Sequence, residues 1–188
     1  FAREPRGPVW VEPTGKLTVI SSITEQGQGT ETILAQVAAA TVGLPVEDVR
    51  VVTGDTLVTP YGGGTWGSRG AGIGGEATIM TGKALKENIL KVAAVVLEVD
   101  ALDLDVRGGH VVDARTGESR LPLSELGRMA YFRPDQLPKD FQSELTVTRH
   151  YVPRHQPLAF TNGVQLSYVE VDVETGFVKL LGHWVAED

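Results

Sequence analysis

The chain has 188 residues, 24 Asp and Glu against 17 Lys and Arg, a formal net charge of −7, 22 Gly and no Cys. That length is one domain or two small ones and is enough for a real core, since about 70% of the unfolded surface is buried at about 150 residues. The composition excludes a membrane helix, which needs about 18 or more consecutive apolar residues, a nucleic-acid partner, which needs a basic face, and any disulfide, thiolate nucleophile, Cys-bound zinc or Cys-held iron–sulfur cluster. An acidic chain can still hold a small phosphorylated ligand through backbone amides. The start, Phe1-Ala2-Arg3-Glu4-Pro5, has no apolar signal segment and no initiator Met, so a cytoplasmic chain cut from something longer is expected.

In chain order, Val9-Trp10-Val11 and Lys16 to Ser22 read as a hairpin about Pro13-Thr14-Gly15. A glycine-bearing loop, Glu25-Gln26-Gly27-Gln28-Gly29, runs into a helix predicted over Thr30 to Val42, with Ile33, Leu34, Val37 and Thr41 on its apolar stripe and Gly43 and Pro45 as stop signals. Val49 to Thr53 is a short strand closing a strand–helix–strand unit, a connection that normally joins parallel strands. A long loop from Gly54 to Ala71 follows, and loops of that length inside a domain are usually functional or disordered. The longest helix is predicted from about Ile73 to Val99, with Leu85, Ile89, Val92 and Val96 inside and Lys83, Lys86, Glu87 and Lys91 outside. Gly74-Gly75 near its start would allow a close backbone approach. Short strands at Leu104 to Val106, His110 to Val112 and Arg120-Leu121, a helix from Ser124 to about Ala130, a Pro-rich connector, a strand at Leu145 to Thr148 and a hairpin of Val164–Val173 with Phe177–Ala186 complete the chain. The expected class is α+β: strand–helix–strand units followed by antiparallel strands, read as a single domain over 1–188.

The glycine loops are the features that could carry chemistry. Gly27-Gln28-Gly29 falls between a strand and a helix N-terminus, where amide N–H groups lack helical partners and the dipole favours an anion, so it suits a phosphate or the polar edge of a heterocycle. A dinucleotide fingerprint fails at Thr32, where glycine is needed, although Asp55 beyond the next strand keeps a ribose-binding reading open. A P-loop is excluded because no Gly-Lys-Ser/Thr follows. In the second loop, Gly62-Gly63-Gly64-Thr65-Trp66-Gly67-Ser68-Arg69-Gly70 offers amides, the hydroxyls of Thr65 and Ser68 and the guanidinium of Arg69. Both loops would lie beyond the C-terminal strand ends, where open α/β sheets bind ligands. The competing readings are plain turn residues for the first and a flexible surface loop for the second. His150 and His155 make a poor metal pair, His110 and His183 stand alone in strands, and Glu98, Asp100, Asp103 and Asp105 read as a solvated face. Trp10 and Trp184 read as core residues of strands.

These residues together resemble a known family. Gln26-Gly27-Gln28-Gly29-Thr30-Glu31-Thr32 with Gln36, Leu44-Pro45, Gly54-Asp55-Thr56, Pro60, Gly64-Thr65, Gly67-Ser68-Arg69 and Gly75, with the closing hairpin, are similar to the molybdopterin-binding large subunit of the xanthine dehydrogenase, aldehyde oxidoreductase (aldehyde oxidase) and carbon monoxide dehydrogenase family. The resemblance covers nearly the whole chain. It implies that Gln28 hydrogen-bonds the pterin, that the Gly29 amide contacts the cofactor, and that Gly67, Ser68 and Gly70 donate to the pterin and its phosphate. Arg69 occupies a position that varies in the family and receives no role. The implied cofactor is molybdopterin, in its cytosine dinucleotide form, with molybdenum in the intact protein, and the implied chemistry is hydroxylation by an oxidoreductase whose electrons leave through iron–sulfur and flavin subunits.

The departures from the family shape the expectation further. The family's upstream loop facing the metal, its active-site loop and its general-base glutamate have no counterpart here, so the chain supplies no catalytic residue and no metal ligand. It is expected to be one lobe of a two-lobed cofactor domain, cut at both ends, inactive and unable to retain cofactor by itself, and to dimerise or dock on the remainder of the large subunit. Two alternatives stand beside this reading: an NAD- or FAD-binding oxidoreductase domain using the first loop and Asp55, and a non-catalytic interaction module.

Overall fold

The computed structural model describes residues 6–153 and 162–187. They form two compact units, 6–153 in the first and 162–187 in the second. His155 lies outside the described residues.

In the first unit, β1 (Arg6–Val11) and β2 (Leu17–Ile20) form the expected hairpin, with Val9 opposite Val19 and Val11 opposite Leu17. Every residue of β2 is buried, the pattern of a strand covered on both faces. The chain leaves β2 through α1 (Thr30–Val42) and returns as β3 (Val49–Val52), parallel to β2 from Leu17 beside Val49 to Ile20 beside Val52. Strand β7 (Thr146–His150) pairs antiparallel with the other edge of β1, so the sheet order is β3-β2-β1-β7.

Helix α1 starts and stops where its sequence predicts, and its last turn closes on Gly43, whose N–H donates to Ala39 O at 2.8 Å. The face it buries is different. Leu34, Ala35, Ala38, Ala39 and Val42 are buried, whereas Ile33 is 37% exposed and Val37 and Thr41 are half-buried. Helix α2 (Gly75–Leu97) lies close against the last turn of α1: a Cβ added at Gly82 would sit 2.9 Å from Thr41 Cγ2. Likewise, a Cβ at Gly74 would meet Ile23 Cγ1 at 2.9 Å, while Gly75 has nothing within 4 Å, so only the first of the two expected glycines is a contact point.

On α2, Leu85, Ile89 and Val92 are fully buried in one core with Val9, Val11, Leu17 and Val19 of the sheet, and Val96 packs at its margin. Lys83, Glu87 and Lys91 face solvent as expected, and Lys86 pairs with Asp105 at 2.6 Å. A single-turn π-helix, Gly70–Gly74, precedes α2. The second sheet is a meander of β4 (Leu104–Arg107), β5 (His110–Asp113) and β6 (Ser119–Pro122), and it is followed by α3 (Leu123–Phe132). Leu104, Val106, Val111, Leu123 and Leu126 join the same core.

The second unit is a two-stranded hairpin of β8 (Gly163–Val171) and β9 (Val178–Glu187). Asp172 organises its turn, its Oδ1 accepting from the N–H groups of Glu174 at 2.9 Å and Thr175 at 3.2 Å. The pairing shifts register after Tyr168. Because side chains alternate along a strand, Leu166 and Tyr168 share a face with Trp184 before the shift, whereas Val169 and Val171 lie with Leu180 and Val178 on the other face after it. Trp184 is 57% exposed and Trp10 half-buried, so neither is the fully packed core residue expected. The architecture is α+β, and among the described residues no helix is long and apolar enough to cross a membrane.

Candidate cofactor site

Since β2 and β3 are parallel, the segments that follow them leave from the same end of the sheet. Residues 21–29 lead into α1 and residues 53–69 into the turn before α2. The two loops are tied together: Thr65 Oγ1 donates to Thr24 O at 2.6 Å, and Gln26 Nε2 donates to Thr65 O at 3.3 Å. Between them lies a cavity of about 200 Å³, walled by Gln28, Thr30 and Leu34 on one side and Thr65, Ser68 and Gly70 on the other. Whole-ligand pockets usually hold about 300–1,000 Å³, so this one has room for a ring system rather than for a dinucleotide.

Gln28 sits at the mouth with its amide folded back. Its Nε2 donates to Thr30 Oγ1 at 2.6 Å and to Thr24 O at 3.2 Å, and its Oε1 accepts from the Gln26 N–H at 2.7 Å. The loop can turn this tightly because Gly27 (φ 92°) and Gly29 (φ 78°) both adopt the left-handed backbone that glycine tolerates. The amides expected to await an anion are already engaged. Glu25 Oε1 accepts from the N–H groups of Gln26 (3.1 Å), Gly27 (2.9 Å) and Gly29 (3.1 Å), and Oε2 accepts from Glu31 (3.1 Å). These bonds, the one from Glu31 foremost, hold the Glu25 carboxyl below the usual carboxylate range.

In the second loop Gly67 (φ 60°) and Ser68 (φ 55°) are successive left-handed residues, and a left-handed serine is a strained choice that often marks a functional turn. No hydrogen bond joins the N–H of Gly67 or of Ser68 to another described residue. Arg69 turns back into its own loop. Its side chain is buried, donates from Nη2 to Gly62 O and lies 5.5 Å from the Trp66 ring, and the Trp66 Nε1 donates to Gly63 O at 2.9 Å. The guanidinium therefore braces its own loop, because a buried cation needs carbonyl and π partners in place.

Of the residues singled out by sequence, the structure brings Gln28, Ser68 and Gly70 to one cavity. Gly29 stands behind Gln28 with its amide on Glu25, and Gly67 adjoins Ser68 outside the cavity wall. Asp55 closes its own turn, Oδ1 accepting from the Leu57 N–H at 2.9 Å. Asp100 caps the turn at Leu102, and His183 Nδ1 contacts Ser167 Oγ at 2.9 Å. Among the described residues no group of three or more His, Asp and Glu could hold a metal ion. Sequence reasoning missed Glu25 and Thr30. The available signal was the bare glycine at the head of α1, which has no side chain to cap the helix and leaves that task to a carboxylate upstream.

A parallel strand–helix–strand unit whose two glycine loops meet at one cavity has its ligand site where open α/β sheets place theirs. The chain matches the molybdopterin cofactor-binding domain model over residues 3–188, and it belongs to that family. It is 34% identical over 180 residues to the nicotine 6-hydroxylase large subunit of Paenarthrobacter nicotinovorans, covering 96% of this chain and 22% of that one. To the carbon monoxide dehydrogenase large chain of Hydrogenophaga pseudoflava it is 30% identical, covering 95% and 22%. The crystal structure of quinoline 2-oxidoreductase from Pseudomonas putida 86 superposes with a TM-score of 0.84 at 33% identity, over 98% of this chain and 23% of that one. The chain thus spans less than a quarter of the length of each of these relatives. The donor set suits such a group: a heterocycle edge needs a side chain that both donates and accepts, as Gln28 does, and a phosphate needs N–H and O–H donors, as in the turn at Gly67 and Ser68.

Proposed function

We propose that this chain is the pterin-binding part of the large subunit of a molybdenum hydroxylase, an oxidoreductase like those of the xanthine dehydrogenase, aldehyde oxidase and carbon monoxide dehydrogenase group. The observation that carries the reading is the convergence of Gln28, Ser68 and Gly70, from loops some 40 residues apart, on one cavity at the ends of two parallel strands. When bound, molybdopterin with its molybdenum supplies the redox chemistry of hydroxylation; the cytosine dinucleotide form is our assignment, with the pterin in this cavity and the nucleotide beyond it, against the remainder of the large subunit. Gln28 binds the polar edge of the pterin by exchanging its internal bonds for ligand bonds. The Ser68 hydroxyl and the Gly67 and Ser68 amides donate to the phosphate, Gly70 keeps that wall low, and the Gly29 backbone borders the ligand. Thr65 and Arg69 hold the second loop in shape.

The general base is assigned to the remainder of the large subunit. The iron–sulfur and flavin centres belong to other subunits, in keeping with a chain that has no Cys. The remainder of the large subunit supplies the rest of the cofactor site.

The test is Gln28→Ala in the full-length parent, produced with its accessory subunits in molybdate-sufficient medium. Cofactor retention is expected to fall about tenfold, the cost of about 1.4 kcal/mol in lost hydrogen bonds, with turnover falling alongside. Wild-type parent devoid of molybdenum, or a variant with unchanged cofactor content, overturns the reading.

A further inference from the structure

We infer that Glu25 is the positioning residue for Gln28: a built-in anion that fills the amide nest at the start of α1 and holds the first loop in its ligand-ready shape. The inference rests on the molybdopterin reading above. The N–H groups that Glu25 gathers include those of Gly27 and Gly29, the two chain neighbours of Gln28, so its carboxylate fixes the backbone on either side of that residue. A Cβ placed at Gly27 or Gly29 would meet nothing within 4 Å, and both residues are left-handed glycines with wide conformational freedom once released. From this backbone position the Gln28 amide reaches Thr30 Oγ1 and Thr24 O.

A second consequence concerns the ligand's negative charge. Helix N-termini ordinarily attract phosphate through their free N–H groups and dipole. Here a phosphate approaching α1 would meet a carboxylate whose oxygens already accept those protons, and the two like charges would repel. The start of α1 is therefore assigned to orienting an uncharged heterocycle edge through Gln28, and the phosphate is left to the turn at Gly67 and Ser68.

The experiment uses the full-length parent with its accessory subunits and follows release of the pterin from purified holoprotein by fluorescence after oxidation, alongside thermal unfolding. Glu25→Ala is expected to release cofactor about tenfold faster, the scale set by losing charge-assisted hydrogen bonds. Glu25→Gln, which keeps one carbonyl acceptor, should lie between the two. Acetate in the buffer should slow release from Glu25→Ala and leave the wild type unchanged, a rescue that a merely structural defect would not show. The Glu25→Ala/Gln28→Ala double variant should be no worse than Gln28→Ala alone, since Glu25 acts through Gln28. Wild-type release rates in Glu25→Ala, no acetate effect, or additive losses in the double variant overturn the inference while leaving the molybdopterin reading intact. A wild-type parent without cofactor overturns both. Should Glu25→Ala fail to fold, Glu25→Gln and its double variant with Gln28→Ala carry the same comparison.

Discussion

Four backbone N–H groups around one carboxylate stabilise its charged form, and Glu25 carries that arrangement on an exposed loop. Its folded pKa is depressed, so its contribution to stability is fully present above the unfolded value of about 4.3 and is lost as the pH falls through the folded value. In a pH titration followed by NMR, the amide protons of Gly27 and Gly29 should move together with a midpoint below about 4.3, and Glu25→Gln should abolish that transition. A midpoint at or above the ordinary glutamate value would contradict the nest. The same logic separates the two charged residues at the site. Glu25 braces the first loop through its backbone N–H groups, and the buried Arg69 braces the second through Gly62 O and the Trp66 face. Neither role is visible in residue type alone. Both side chains could equally have faced a ligand, and the choice follows from which backbone groups lack partners once the loops close.

Helices α1 and α2 carry those loops on their N-termini, so their packing decides how the cavity is walled. Their period and ends were legible: apolar spacing gave α2 its buried row of Leu85, Ile89 and Val92, and Gly43 gave α1 its stop. The inward face of α1 was not, because Ile33 is apolar in any pattern, yet it stays 37% exposed while Ala35, Ala38 and Ala39 are buried. A helix pair that approaches through Gly82 against Thr41 and Val42 tolerates no large side chain there. Gly82→Leu should therefore destabilise the protein by about 1–3 kcal/mol through overpacking against Thr41 and Val42, measured by denaturant unfolding. A variant as stable as the wild type would show that the close contact is not real.

The whole molecule divides into a well-packed unit and a two-stranded ribbon. The first has one continuous core drawn from both of its sheets and from α1, α2 and α3. The β8–β9 hairpin leaves Leu166, Tyr168, Leu180 and Trp184 more than half exposed, and an isolated two-stranded hairpin is marginal in water. Its apolar side chains change face at the register shift, which suits a ribbon covered on opposite faces along its length. Hydrogen exchange on the isolated chain should find the amides of 163–187 far less protected than those of β1, β2 and β3, with protection rising in the full-length protein. Equal protection in both settings would mean that the hairpin needs no further partner.

Much of this protein could be read from its residues in order. The type and sequence of the elements, the parallel strand–helix–strand unit and the placing of both glycine loops at helix starts follow from local signals: periodicity, turn residues and caps act over a few positions. That both glycine loops reach one end of the sheet was likewise legible from the parallel unit, whereas Gln28, Gly29, Gly67, Ser68 and Gly70 were singled out through the family resemblance. The pairing of β7 with β1, the alanine face of α1, the Glu25 carboxylate in its amide nest and the inward Arg69 were settled by folding. Each depends on which donors, acceptors and surfaces meet across the chain, and such meetings are decided by the free energy of the closed structure rather than by any short window of sequence.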